Sequence, residues 1–455
     1  MSSDSTTYSC EYAVVGGVVE SDVTIAVVDG VFASVEVGAD QAGRSAGSAG
    51  AASVGVVRLK GLTIPGLANA HSHAFHRALR SRVQAHRQGW EAIDQANRQG
   101  REAIDQAHRQ GREAIDPAGQ GSFWTWRDLM YRAAARLNPD NYHQLARATF
   151  AEMAMAGVTA VGEFHYVHHR ADGKPYAEPN AMGEAVFSAA TEAGIRITLL
   201  DTLYLHGGLS SAGEGGESPL GLQPHQLRFG DQTVDGWIDR VEGLAPGDGQ
   251  LVGASIHSVR AVDPASVRKI AEWASAHRAP LHCHVSEQRA ENEQCLSAYG
   301  VTPMQLLADA GAMGDRFTAV HATHLTSADV GLLATSGSTV CMCPTTERDL
   351  GDGIGPTSEF AASGIPMAVG SDSNAVIDMF EESRALELNE RLRSETRGIH
   401  SAGALLEMAT VNGHRSLGWT APETVAAGSI TPAARADLVT INLGSVRTAG
   451  ACADS

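Results

Sequence analysis

Apolar and polar positions follow two different rhythms along the chain. Between Glu11 and Val57 they alternate, as in Tyr12-Ala13-Val14-Val15, Val23 to Val28 and Phe32 to Val35, with breaks at Gly16-Gly17 and Asp29-Gly30. A period of two bounded by Gly-Gly and Asp-Gly predicts short antiparallel strands joined by hairpins. From Asn141 the rhythm changes. Helix-like stretches at Asn141–Ala156, Ala181–Ala193, Pro264–His277 and Thr302–Ala310 are interspersed with apolar runs at Val158–His165, Ile195–Leu200, Leu251–His257, Pro280–His284, Phe317–His321, Thr339–Cys343 and Pro366–Asp372. Helices interspersed with near-continuous apolar strands predict a parallel sheet covered on both faces. Most of these runs end at or near a residue of chemical interest. A (β/α)8 barrel gathers its strand C-termini on one face, whereas an open doubly wound sheet does not bring five or six of them around one point. The expected fold is therefore α/β, a TIM-like (β/α)8 barrel. The tail run Ala436–Ile441 reads as a strand that returns to the N-terminal strands, giving a small β-sandwich domain built from both chain ends. The expected division is 1–62 and 418–455 for the small domain and 63–417 for the barrel.

Two stretches break the pattern. Ala39 to Ser53 is rich in Gly, Ala and Ser and reads as a loop. Residues 86–118 hold a tandem repeat of eleven residues that places Ile93, Ile104 and Ile115 in equivalent positions. Eleven residues are close to three helical turns. One reading is an interaction arm or lid. The favoured one is a duplication tolerated in a surface loop, because added loop length costs little closure entropy.

The formal charge of −18 over 455 residues makes nucleic-acid or membrane-surface binding a poor expectation. None of the six cysteines forms a Cys-x-x-Cys pair, and Cys341 and Cys343 alternate on an apparent strand, so buried free thiols are expected. Met1 to Tyr8 carries no basic or apolar run, and the expected compartment is the cytoplasm.

The chemistry centres on Asn69-Ala-His71-Ser-His73. Two histidines one residue apart at a strand end point to the same side and can share a divalent cation. The later strand ends offer His257, His284, His321 and Asp372. The simplest metal set is His71, His73, His284 and Asp372, with space left for a water. Imidazole and carboxylate ligands suit zinc, which lowers the pKa of a bound water towards ~7. Asp372 could accept a proton from that water, Glu287 could shuttle protons to a leaving group, and His321 could hydrogen-bond the nucleophile or the tetrahedral centre.

These motifs resemble the amidohydrolase superfamily: Pro65-Gly-Leu-Ala-Asn-Ala-His71-Ser-His73, His282-Cys-His284-Val-Ser-Glu287, His321-Ala-Thr-His324 and Gly370-Ser-Asp372-Ser. Within it, Phe123-Trp-Thr-Trp-Arg127, Gly162-Glu-Phe-His-Tyr166-Val-His168 and His257-Ser-Val-Arg260 are similar to the formimidoylglutamate deiminase family. The resemblance implies hydrolysis of N-formimino-L-glutamate with one zinc ion (another divalent metal such as iron being the alternative), and zinc ligands His71, His73, His284 and Asp372. It implies proton handling by Glu287, His321 and Asp372, and substrate contacts from Arg127, Tyr166, His257 and Arg260. A dicarboxylate needs arginines, whose planar forks bind carboxylates bidentately. His76 stands where the resemblance leads one to expect a glutamine contacting substrate. The partners expected are a small dicarboxylate and a second copy of the chain in a homodimer. The competing expectation is another deaminase of the superfamily, acting on a nucleobase or a guanidino compound.

Overall fold

A computed structural model describes residues 5–38, 56–80, 123–210, 219–422 and 424–453. The loop from Ala39 to Ser53 and the repeat at 86–118 lie outside the described residues.

The alternating N-terminal residues form β1 (Ser5–Val15), β2 (Val18–Val28) and β3 (Val31–Val37), followed by β4 (Val56–Pro65). Both hairpins fall at the breaks read from the sequence: Val15 pairs with Val18 and Val28 with Val31. Gly16, Gly17, Asp29 and Gly30 all have positive φ, as two-residue turns matched to the twist of the strands require. The tail supplies β13 (Leu438–Ile441), which pairs antiparallel with Leu62 to Pro65 of β4. The result is one five-stranded sheet in the order β13-β4-β1-β2-β3. Cys10, Ala13, Val23, Ile25 and Phe32 pack with Ile430 and Ala434, so both chain ends build the core of this small β domain.

The second sheet has eight parallel strands in sequence order: β5 (Leu67–Ser72), β6 (Val158–His165), β7 (Arg196–Leu203), β8 (Gln250–Ile256), β9 (Leu281–Val285), β10 (Phe317–His321), β11 (Thr339–Met342) and β12 (Met367–Val369). Only Gly66 separates β4 from β5, so the expected Pro-Gly turn is a crossing from one sheet to the other. The strand after Ile195 runs to Leu203, further than its apolar run suggests, because the buried Asp201 is neutralised by Arg240 and does not end the strand. Small side chains, Ala70, Val320, Cys341, Cys343 and Ala368, cluster together in the barrel interior. Helices are started by the residues their sequences advertise: Asp263 caps Pro264–Ala276, and Thr302 caps Pro303–Asp309.

The barrel is fastened where β5 meets the segment after β12. Asp372 N–H donates to the His71 carbonyl and His73 N–H donates to the Asp372 carbonyl, each at 2.9 Å. Gly370 permits this closeness, since a Cβ there would lie 2.7 Å from both the Cβ and the carbonyl oxygen of His71. No described helix is long and apolar enough to cross a membrane.

Candidate active site

Strand alternation brings His71 and His73 together at the end of β5, with ring centroids 4.8 Å apart. Nε2 of His284 lies 3.1 Å from Nε2 of His71 and 3.4 Å from Nε2 of His73. Oδ1 of Asp372 lies 3.5 Å and 3.4 Å from the same two nitrogens. Tetrahedral zinc with bonds of about 2.05 Å separates its ligand atoms by about 3.3 Å. These four separations match that spacing, and His71, His73 and Asp372 form one group with metal-like spacing while His71 and His284 form another with His321.

Tautomers give a second test of fit. His73 Nδ1 donates to the Phe164 carbonyl at 2.8 Å, and His284 Nδ1 donates to the His257 carbonyl at 2.9 Å. Burial holds both imidazoles well below their ordinary pKa, so both are neutral. Each Nε2 is then a bare lone pair, and two lone pairs facing at 3.4 Å repel unless a cation lies between them. Burial pushes the Asp372 carboxylate up, but its bond to His71 and the electrostatics of the surrounding histidines, His321 among them, outweigh this and keep it ionised. A divalent metal fits these residues.

Beside the cluster stand the residues expected from the sequence to carry protons. Glu287 is 6% exposed, tucked in ahead of the helix Arg289–Tyr299 and not on its solvated face. Burial pushes its carboxyl up to about 7, with His321 opposing. His321 Nε2 lies 3.8 Å from both Glu287 Oε1 and Asp372 Oδ2, while its Nδ1 faces Glu347 at 3.4 Å. Burial disfavours the imidazolium, but the carboxylates of Glu287, Glu347 and Asp372 outweigh it and hold His321 well above its ordinary value. His321 and Asp372 have φ of 67° and 45°, a backbone region that non-glycine residues rarely adopt.

One cavity opens onto this cluster, and it brings all the expected substrate residues together: His76, Arg127, Tyr166, His257 and Arg260 line it with His73, His284, Glu287, His321 and Asp372. His76 Nε2 meets the Tyr166 hydroxyl at 2.9 Å, and burial lowers its pKa to about 3, so it is neutral. His257 is held neutral by burial and by Arg260 and Arg127. Arg260 is backed by the buried Glu291 at 4.0 Å.

Several residues that hold the site were not singled out from the sequence. Glu163, on β6, accepts from Ser72 Oγ at 2.8 Å, Ala74 N–H at 2.6 Å and Tyr142 at 3.3 Å, and burial pushes it up to about 8. Asn374 donates to Ser72 Oγ and to the His73 carbonyl, and Ser371 joins it to Asn69. Asp352, pushed up to about 9 by burial and by Glu287, accepts from Gln288. Glu163 lay inside a block already marked, so its position was visible while its task was not. A second group, His165, His168 and Asp201, also has metal-like spacing. There the Asp201 oxygens are taken up by Arg240 at 2.8 Å and Trp237 at 2.9 Å, which makes the group an ion-pair network.

A parallel barrel with a His, His, His, Asp cluster at its strand ends defines a class of hydrolase, and the family comparison agrees: the amidohydrolase family matches residues 62–452. The chain belongs to the amidohydrolase family, whose members here include deaminases, and is a hydrolase acting on C–N bonds. Among its relatives is the formimidoylglutamate deiminase of Pseudomonas aeruginosa, 36% identical over 75% of this chain and 68% of that protein. The 8-oxoguanine deaminase of the same organism is 28% identical over 71% of this chain and 69% of its own length. A solved amidohydrolase from Brucella melitensis superposes with a TM-score of 0.78 at 29% identity, covering 99% of this chain and 89% of that one.

Proposed function

We propose that the chain catalyses the zinc-dependent deamination of N-formimino-L-glutamate to N-formyl-L-glutamate and ammonia, a step of histidine degradation. The observation that carries this reading is the union, in one cavity, of the His and Asp cluster with two arginines, Arg127 and Arg260. An amidine carbon needs activated water, and a substrate with two carboxylates needs two cations in an otherwise acidic protein. Similarity to the formimidoylglutamate deiminase of Pseudomonas aeruginosa supports the same substrate.

His71, His73, His284 and Asp372 would hold the zinc ion, which supplies a Lewis acid that makes water acidic enough to attack near neutral pH. Asp372 takes a proton from the attacking water. A C–O bond forms at the formimino carbon, and His321 stabilises the charge that develops there. Glu287, poised near neutrality, carries the proton to the terminal nitrogen. As the C–N bond breaks, the second proton of the former water passes from its oxygen to that nitrogen through Asp372, the C=O bond forms and ammonia leaves. Arg127 and Arg260 hold the carboxylates, while Tyr166, His257 and His76 orient the formimino end. A cytoplasmic homodimer with no nucleic-acid or membrane partner completes the proposal.

The test is ammonia release by the zinc-loaded protein from formiminoglutamate, guanine and 8-oxoguanine in parallel. Release from formiminoglutamate alone is the expected result. Faster release from either purine would replace this reading with that of a nucleobase deaminase.

A further inference from the structure

Beyond His257 the cavity ends in two tyrosines that the mechanism leaves unused. The Tyr204 ring lies 4.5 Å from that of His257, which lies 5.4 Å from that of His284, so Tyr204 reaches the metal cluster by way of the His257 ring. Tyr131 and Tyr204 both line the cavity, and Gln226, 3% exposed, sits behind them. The Gln226 Oε1 accepts from the Gln223 N–H at 2.9 Å, which fixes which way the amide faces. Its Nε2 then points at the Tyr204 hydroxyl at 3.0 Å and the Tyr131 hydroxyl at 3.2 Å, with the Gly207 carbonyl more distant at 3.4 Å.

An amide NH2 only donates, so both phenol oxygens are acceptors towards Gln226 and must send their own protons elsewhere. Both tyrosines line the cavity, so their O–H groups can donate into it. They stand there with the guanidinium groups of Arg127, whose Cζ lies 5.9 Å from the Tyr131 ring centroid, and of Arg260. Guanidinium groups have no acceptor atom.

We propose that Gln226 is a positioning residue for substrate selection: by orienting Tyr131 and Tyr204 as donors, it makes the distal end of the cavity complementary to a carboxylate and hostile to the corresponding amide. The proposal rests on the reading of the cavity as a dicarboxylate site and names the device that selects one of its two acid groups. A carboxylate accepts at both oxygens, whereas an amide would turn an NH2 against a wall of donors and leave it unpaired.

The experiment is calorimetric binding of N-formyl-L-glutamate and its two monoamides to the zinc-loaded full chain, wild type, Gln226→Glu and Tyr204→Phe, with bound zinc measured in each. Wild type should prefer the diacid to one monoamide by about tenfold or more. Gln226→Glu turns the donor into an acceptor of the phenol protons. It should lose about tenfold in diacid affinity and most of that preference, with zinc content unchanged and KM for formiminoglutamate rising more than kcat falls. Tyr204→Phe removes one hydroxyl from the pair and should move the preference the same way, so the proposal stays falsifiable if Gln226→Glu does not fold. Wild-type preference retained in a folded variant overturns it while leaving the deaminase reading intact. Diacid binding with a Gln226-dependent preference but no turnover of formiminoglutamate upholds the proposal and overturns the deaminase reading. Absence of any dicarboxylate binding overturns both.

Discussion

Glu287 shows how a single side chain changes meaning when its neighbours are known. In the sequence it is a carboxylate three residues after His284, compatible with an exposed helix start. In the fold it is buried beside His321 and raised to about 7. Glu287→Gln keeps the size and hydrogen-bonding capacity of the side chain but removes its proton. The expected outcome is unchanged zinc content with kcat reduced by about 10²–10⁴-fold, measured by steady-state ammonia release. At this scale the four metal-binding candidates were legible, because each is a ligand-type residue at a strand end. Glu163, Asp352 and Gln226 were not. Their properties come from burial and from partners as distant in sequence as Ser72 is from Glu163, and no local spacing encodes that.

Between elements, the site depends on contacts that join one strand end to the next. Asn374 ties the segment after β12 to Ser72 and His73 of β5. Asn374→Ala should lower zinc affinity by about 10–100-fold in a chelator competition while the protein still unfolds cooperatively. Behind β7, Arg240 of the helix Val234–Val241 bridges Asp201 and Asp231, both held below the usual carboxylate range even though burial alone would raise them. Their folded pKa values lie below the unfolded ones, so this stabilisation is present above the ordinary carboxylate pKa and is lost as pH falls through the folded values. Arg240→Met strands two buried carboxylates and should cost about 3–5 kcal/mol at pH 7 by denaturant unfolding. The deficit should shrink towards pH 4, because protonation relieves unpaired buried acids. The strand and helix pattern was legible here through its apolar runs and capping residues, but the apolar run to Leu200 stops short of the end of β7 at Leu203, because Asp201 breaks the run and is paired with Arg240 inside the fold.

For the whole molecule, the alternation of helices and apolar strands correctly foretold a barrel, and the strand-like tail foretold a sheet shared by both chain ends. What the pattern did not convey is how tightly the two sheets are coupled. β4 runs into β5 through a single glycine, β13 lies against β4, and Asp437 just before β13 pairs with Arg196 of β7. The packing opposite the small sheet was also beyond the pattern, since an irregular segment containing Ile430 and Ala434 carries no period to read.

The place where the barrel is fastened has a consequence for the life of the protein as well as its chemistry. His71, His73 and Asp372 close the ring of strands through their backbones and place their side chains in the candidate metal cluster. Whatever occupies the cluster therefore acts on the integrity of the barrel, and an ion bound only by the folded state adds stability that grows with its free concentration. Stripping the metal with a chelator should lower the thermal midpoint and speed hydrogen exchange at the amides of His73 and Asp372 ahead of the central strands, with both effects reversed by added zinc. A cell short of metal would then lose this enzyme by turnover of loosened protein as well as by idle active sites, so that supply of the ion governs how many copies persist.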